Sequence, residues 1–325
     1  MVLDAPRAPL RERDITLSPP NDVEIRLRVS ACAVCRTDLH IVDGELADPK
    51  LPLVLGHQII GRVEAVGARV DGFAVGDRVG VPWLGWTDRT CAFCRSGREN
   101  LCVGARFTGY HRDGGYAESA IADARYCFPI PKTYDDVHAA PLLCAGLIGY
   151  RALRLAGDVR TVGLYGFGSS AHLVAQIARH EGRRVFAFTR PRDEARQRFA
   201  RSLGAEWAGG SDESPPEPLE AAILFAPVGA LVPVALAATA RGGTVVCAGI
   251  HMTDIPSFPY ARLWDERVLR SVANLTRDDG RRFFEIAARA RIHTNVHAFS
   301  LQRANDALNA VRAGELEGAA VLAIE

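Results

Sequence analysis

TVGLYGFGSSAHLVAQIARHEG, residues 161–182, is the stretch whose reading decides the fold. TVGLYGF is an apolar strand, and SSAHLVAQIARHEG has the apolar spacing of a helix. Between them Gly166, Gly168 and Ala171 spell G-x-G-x-x-G/A. That pattern is weak alone, but a strand before it and a helix after it are the context a dinucleotide site requires. Gly166 permits the tight turn, Gly168 lets the backbone approach a pyrophosphate, and Ala171 keeps helix close to strand. The helix N-terminus then faces the phosphate charge. A structural strand-to-helix turn without a ligand is the plainer alternative.

The grammar continues downstream. RRVFAFTR (183–190) reads as a strand, DEARQRFARSLG (193–204) as a helix, and AAILFAP (221–227) and GGTVVCAGI (242–250) as further strands around a helical stretch. Alternating strand and helix predicts a parallel sheet. SDESPPEP (211–218) is a polar surface loop by composition. An acidic residue that binds a ribose diol is expected at the end of the second strand. Here Thr189 and Arg190 stand instead, with Arg192 close behind. No carboxylate repels a 2′-phosphate there, and two guanidiniums can pair with one. NADP(H) is therefore expected to be favoured over NAD(H).

Residues 1–140 are different, with short runs rich in Val, Gly and Pro. VEIRLRVSACAV (23–34), IIGRVEAVGA (59–68) and GDRVGVPWL (76–84) read as short strands of a barrel-like β domain. At the other end, DDGRRFFEIAARAR (278–291) and SLQRANDALNAVRAGELEG (300–318) read as helices, and AAVLAIE (319–325) as a closing strand.

The chain has 325 residues, enough for two domains, with 48% hydrophobic and 24% charged residues and a net charge of +1. That balance offers no general attraction to nucleic acid or anionic lipid. The longest uncharged run, 221–240, is broken by Pro227, Gly229 and Pro233 into strand, turn and small helix, so no membrane span is expected. The opening MVLDAPRAPLRERD lacks the apolar core of a signal peptide, and eight cysteines then argue for a reducing, cytoplasmic setting. Their clustering points to metal or catalysis before disulfides.

Three short motifs become readable together: CRTDLH (35–40), GHQIIG (56–61) and LLCAG (142–146). With TDRTCAFCRSGRENLC (87–102), they resemble the zinc-dependent medium-chain alcohol dehydrogenases over essentially the whole chain. The resemblance implies an α/β protein of two domains: a GroES-like β-barrel catalytic domain (1–145) and a Rossmann, doubly wound parallel-sheet domain (146–274). Residues 275–325 would return to the first domain, and the active site would lie in the cleft between the two. It further implies that Cys35, His57 and Cys144 hold a catalytic Zn²⁺, a Cys₂His set with an open fourth position. Asp38 would orient the ligating histidine. Thr37 would take the substrate proton and His40 pass it to solvent, while Arg36 would meet the cofactor pyrophosphate. Alcohol oxidation must lose a proton and a hydride, and these residue types supply an acid–base route beside a nicotinamide. One departure stands out: many relatives carry Glu directly after the ligating His, and this chain has Gln58.

The family's structural zinc lobe reads C-x₂-C-x₂-C-x₇-C. Cys91, Cys94 and Cys102 fill its last three places, and Asp88 falls on the first. Asp oxygen is an accepted zinc ligand and preserves the charge of a four-cysteine set, so a second Zn²⁺ site of Asp88 and three cysteines is expected. Cys32, Cys127 and Cys247 read as core. Trp83, Leu84, Trp86 and Tyr110 are candidates for an apolar substrate pocket. The resemblance implies a homodimer or homotetramer acting on a small alcohol or aldehyde, and GIHMTDIPSFPY (249–260) is expected to carry an intersubunit contact as an edge strand. The competing readings are a zinc-free quinone oxidoreductase of the same superfamily and a non-catalytic binding protein that keeps the fold.

Overall fold

The computed structural model describes residues 1–314 and 316–325. The chain divides into two units: Met1–Cys144 with Asn274–Ala288 and Thr294–Glu325, and Ala145–Ala273 with Arg289–His293. Residues 289–293, expected in the returning tail, thus belong with the second unit. A side chain there holds them: Gln176 Nε2 donates to His293 O at 2.9 Å, and His293 N donates to Gln176 Oε1 at 2.8 Å.

The first unit is built on a seven-stranded sheet. Its path runs Val296–Ser300, Ala319–Ala323, Glu24–Val34, Ile59–Val66, Arg78–Val81, Phe128–Pro129, and Ser119–Asp123 also pairs with the long strand. Glu24–Val34 begins with period-two alternation: Ile25, Leu27 and Val29 are buried, while Arg28 points to solvent. A register shift between Val29 and Ala31 breaks the alternation, and Ala31–Val34 are then all buried. Burial of each large core side chain, Ile25, Leu27 or Leu55 among them, contributes about 1.5–3 kcal/mol. This strand delivers Cys35 into the interior at its end. Of the expected C-terminal helix 300–318, a helix forms over Ala304–Ala313 and ends at Gly314 in a left-handed cap, and Glu315 lies outside the described residues.

The second unit carries six parallel strands in the order Trp207–Gly210, Arg184–Thr189, Thr161–Tyr165, Leu219–Leu224, Thr239–Cys247, Val268–Ser271. The direction of winding reverses between Thr161–Tyr165 and Leu219–Leu224, the topological switch point at which such sheets bind ligands. Thr161–Tyr165 is buried throughout, as a strand covered on both faces must be. The rings of Tyr165 and Phe188 stack at 4.0 Å across neighbouring strands. The run 221–240 resolves into the strand Leu219–Leu224 and the helix Leu231–Ala238. Among the described residues no single helix is long and apolar enough to cross a membrane.

One expectation fails here. Residues 249–260 form no strand, and the sheet edge is Val268–Ser271 instead. Pro256 and Pro259 have no N–H to give a ladder, which removes the segment from strand pairing.

Candidate active site

The first cluster of metal-binding side chains grows from a helix cap. Cys35 caps the helix Arg36–Val42, its Sγ accepting from Thr37 N at 3.4 Å. Asp38 Oδ2 reaches back and accepts from Cys35 N at 2.9 Å, which completes a capping box with cysteine in the place of serine. The other oxygen, Asp38 Oδ1, lies 3.2 Å from His57 Nδ1, and His57 Nε2 lies 3.2 Å from Cys35 Sγ. One fully buried carboxylate therefore fixes the backbone of one candidate ligand and the ring of another. Cys144 follows the short turn Ala140–Leu143. A ligand atom from each of Cys35, His57 and Cys144 lies within 4.8 Å of the other two.

The electrostatics of this cluster follow from crowding. The hydrogen bond to Cys144, then burial, pushes the Cys35 thiol well above its usual range. Burial opposes charge on His57, yet Cys35 and Asp38 override it and raise its pKa to about 10. Three donors thus compete for protons at one point, the arrangement a divalent cation relieves by replacing them. Two thiolates and an imidazole suit Zn²⁺, and Asp38 on Nδ1 leaves Nε2 for the metal, so the donor set fits that ion.

The same helix carries the remaining candidates. Arg36 is exposed, Thr37 half-buried, and His40 is paired through Nδ1 with the Glu45 carboxylate. Gln58 is buried, and its Nε2 has no hydrogen-bond partner among the described residues. Trp83 packs edge-on against His57 at 4.9 Å and stacks on Phe107 at 5.1 Å and on Tyr110 at 5.7 Å. Trp86 stands apart from this stack, near Gly104, Asp88 and Cys102. Phe107 and Glu45 were not singled out by the sequence. The alternation around Phe107 is too short to signal a site, and Glu45 is an ordinary acidic residue until the chain folds back.

The second cluster is local. Asp88 Oδ1 accepts from Thr90 N at 2.8 Å and Cys91 N at 2.9 Å, closing an Asx turn. Cys91 then caps the short helix Ala92–Arg95, and Cys94 Sγ donates to Thr87 Oγ1 at 3.3 Å. Cys102 follows the turn Glu99–Leu101, which is anchored where Glu99 Oε1 accepts from Arg277 N at 2.9 Å. Ligand atoms of Asp88, Cys91, Cys94 and Cys102 all lie within 4.8 Å of one another. The Cys91 and Thr90 N–H groups hold the Asp88 carboxyl well below the usual range, so it is a ready anion. Burial pushes the Cys94 thiol up to about 12, opposed by Thr87. A four-donor closed set of this kind also fits Zn²⁺.

In the second unit, Gly166 has φ +88, and a Cβ there would sit 2.7 Å from Ala226 N, so glycine is required. Gly168 caps the helix Ser169–His180, and a Cβ at Gly168 would meet nothing within 4 Å, which leaves open room for a ligand's approach. Ala171 is fully buried against the strand. Thr189 is buried, and its hydroxyl has Arg190 O at 2.9 Å and Gly209 O at 3.3 Å as acceptors for its one proton. Arg190 and Arg192 are exposed beyond it.

Comparison with known proteins agrees with this picture. The alcohol dehydrogenase GroES-like domain matches residues 21–132. A Mycobacterium tuberculosis protein named probable alcohol dehydrogenase is 46% identical over 323 residues, covering 96% of this chain and 92% of its own. An alcohol dehydrogenase of Geobacillus stearothermophilus is 34% identical and covers 93% of this chain and 92% of its own. Among solved structures, the alcohol dehydrogenase of Aeropyrum pernix superposes with a TM-score of 0.86 at 27% identity, covering 99% of this chain and 98% of its own. A candidate zinc-binding dehydrogenase of Sinorhizobium meliloti, solved bound to NADP, gives 0.85 at 27% identity over 96% of this chain and 95% of its own.

Proposed function

The chain belongs to the zinc-type medium-chain alcohol dehydrogenase family, and on that premise we propose that it transfers a hydride between a primary alcohol, or its aldehyde, and NADP(H), with NAD(H) the poorer cofactor. Cys35, His57 and Cys144 would hold the catalytic Zn²⁺, and Asp88, Cys91, Cys94 and Cys102 a second, structural Zn²⁺. The observation that carries the reading is Asp38, whose two oxygens tie the Cys35 N–H and the His57 ring into one donor set. A zinc-free reductase or a mere binding protein has no use for that arrangement.

When bound, the catalytic ion supplies Lewis acidity to the oxygen of the substrate. The chain does the rest. Asp38 keeps His57 in one tautomer and one orientation. Thr37 accepts the substrate hydroxyl proton and donates its own onward, and His40 takes it toward solvent. Gly166 and Gly168 admit the cofactor backbone, with the N-terminus of Ser169–His180 against its phosphates. Arg190 and Arg192 pair with a 2′-phosphate, while the buried Thr189 hydroxyl fixes the loop that presents them. The Trp83, Phe107 and Tyr110 stack beside His57 favours an apolar substrate.

We also place the enzyme in the cytoplasm, in keeping with eight cysteines outside any disulfide, and as a homodimer or homotetramer, in keeping with the exposed apolar side chains Ile250, Tyr260, Trp264 and Val268 of the second unit. The test pairs two measurements. Elemental analysis should find about two zinc ions per chain. Oxidation of NADPH by apolar aldehydes should exceed that of NADH by about tenfold in kcat/KM. Absence of zinc, or of aldehyde-dependent turnover with either cofactor, overturns the reading; faster turnover with NADH overturns only the cofactor preference.

A further inference from the structure

Helix Arg36–Val42 ends in a way that bears on His40. Gly44 adopts φ +74, the left-handed conformation that glycine tolerates. Glu45 N donates to His40 O at 2.9 Å, and Gly44 N donates to Ile41 O at 3.2 Å. These two bonds are the paired closures of a Schellman cap, and they turn the chain back under its own last turn. The reversal sets the Glu45 carboxylate against His40 Nδ1. His40 is largely covered, with 14% of its side chain exposed, whereas Glu45 is 51% exposed. The pair therefore joins an interior ring to a solvent-facing carboxylate. Among the described residues at this helix end, Asp43 pairs with Arg312, and Arg7 Nε donates to the Asp43 backbone O at 3.4 Å. Arg36 is exposed, one turn back.

We infer that Glu45 is a positioning residue for proton release: it holds His40 as the Nδ1–H tautomer, keeps Nε2 as the proton acceptor, and stabilises the imidazolium that then gives its Nε2 proton to water. This rests on the relay role assigned to His40 above. A proton arrives at Nε2 as the alcohol is oxidised, giving an imidazolium held by the Glu45 carboxylate; the Nε2 proton then leaves to water while the Nδ1–H bond to Glu45 is kept, so the ring returns to the tautomer it started from. In aldehyde reduction every transfer runs in reverse. A lone histidine can present either nitrogen, and the tautomer protonated at Nε2 cannot accept there. The cap thus does for His40 what Asp38 does for His57, using one carboxylate to choose one nitrogen.

The test uses the zinc-loaded, full-length enzyme in the direction of alcohol oxidation. Glu45→Gln should lower kcat by about tenfold, a part of what general acid–base catalysis contributes, and leave the KM for alcohol within about twofold. Glu45→Asp should recover most of the loss, and a small amine base (glycinamide) should speed both Glu45→Gln and His40→Gln in proportion to its concentration. A merely structural role for Glu45 shows no such rescue. If His40→Gln is slow and rescued while Glu45→Gln matches the wild type, the inference about Glu45 falls and the relay stands. If His40→Gln is itself unchanged, the relay reading falls and takes this inference with it. An independent readout is the ¹⁵N spectrum of histidine-labelled protein, assigned by the signal lost in His40→Gln. The expected wild-type signal is that of the Nδ1–H tautomer, displaced in Glu45→Gln; an Nε2–H signal in the wild type overturns the inference.

Discussion

The two candidate metal clusters use similar atoms but are made in opposite ways. Asp88, Cys91, Cys94 and Cys102 come from one short loop, joined by an Asx turn and a helix cap, and three of them are only half-buried. Cys35, His57 and Cys144 come from a strand end, a loop and a turn far apart in sequence, around a fully buried histidine and carboxylate. The local set offers four donors and is closed. The long-range set offers three, which in the proposed enzyme would leave a fourth position for substrate. A loop can be held by a metal because its backbone has little else to hold it. A reactive centre needs ligands that the fold has already placed, so that filling or emptying the fourth position costs little reorganisation.

That contrast can be broken by exchanging what each cluster loses. Cys35→Ser removes a donor from the pre-placed set, and kcat/KM should fall by about 10³-fold while the melting temperature stays close to the wild type. If activity survives, the chemistry does not run through this cluster. Asp88→Ala strikes the loop instead. Its hold on zinc should weaken by about 100-fold, which lowers apparent stability by about 2–3 kcal/mol in excess metal, with kcat preserved. Full zinc content and an unchanged unfolding midpoint in that variant would exclude Asp88 as a ligand. A third effect, of similar size, lies outside both clusters and serves as their control. His172 is 2% exposed, and burial lowers its pKa from 6.5 to about 4. Between those values the unfolded chain binds a proton that the folded one refuses, so stability falls as pH drops from about 6.5 to about 4. The cost is about 3 kcal/mol. His172→Leu should flatten the stability profile over that window without changing zinc content, as urea titrations at several pH values would show.

Much of this was legible before folding, for identifiable reasons. The glycine turn at 166–171 and the cysteine spacing at 91–102 are local, so their geometry is nearly a property of the sequence. The cap role of Cys35 was hidden because cysteine rarely stands where serine usually does, although C-x-x-D has the right spacing. The partnership of Glu45 with His40 depends on a left-handed glycine between them, and nothing in the composition of HIVDGE distinguishes it from a solvated helix end. Residues 249–260, expected to carry an edge strand, form none, because Pro256 and Pro259 have no N–H to give a ladder. The five residues 289–293 left the tail through a single glutamine, Gln176, a contact more than a hundred positions away in the chain.

The interrupted path of the first unit has a consequence for synthesis. Residues 145–273 form one uninterrupted stretch that supplies all six strands of the parallel sheet. The strand Ala319–Ala323, by contrast, pairs with Glu24–Val34, made some 290 residues earlier. On the ribosome the later-encoded sheet can therefore assemble while the earlier one still lacks a neighbour. Until translation reaches that closing strand, the Ala31–Val34 end of Glu24–Val34 lacks its neighbour on one side, next to Cys35. The sheet that begins earlier is thus finished later than the one encoded after it, and its unpaired strand end is a place for unwanted pairing in the meantime.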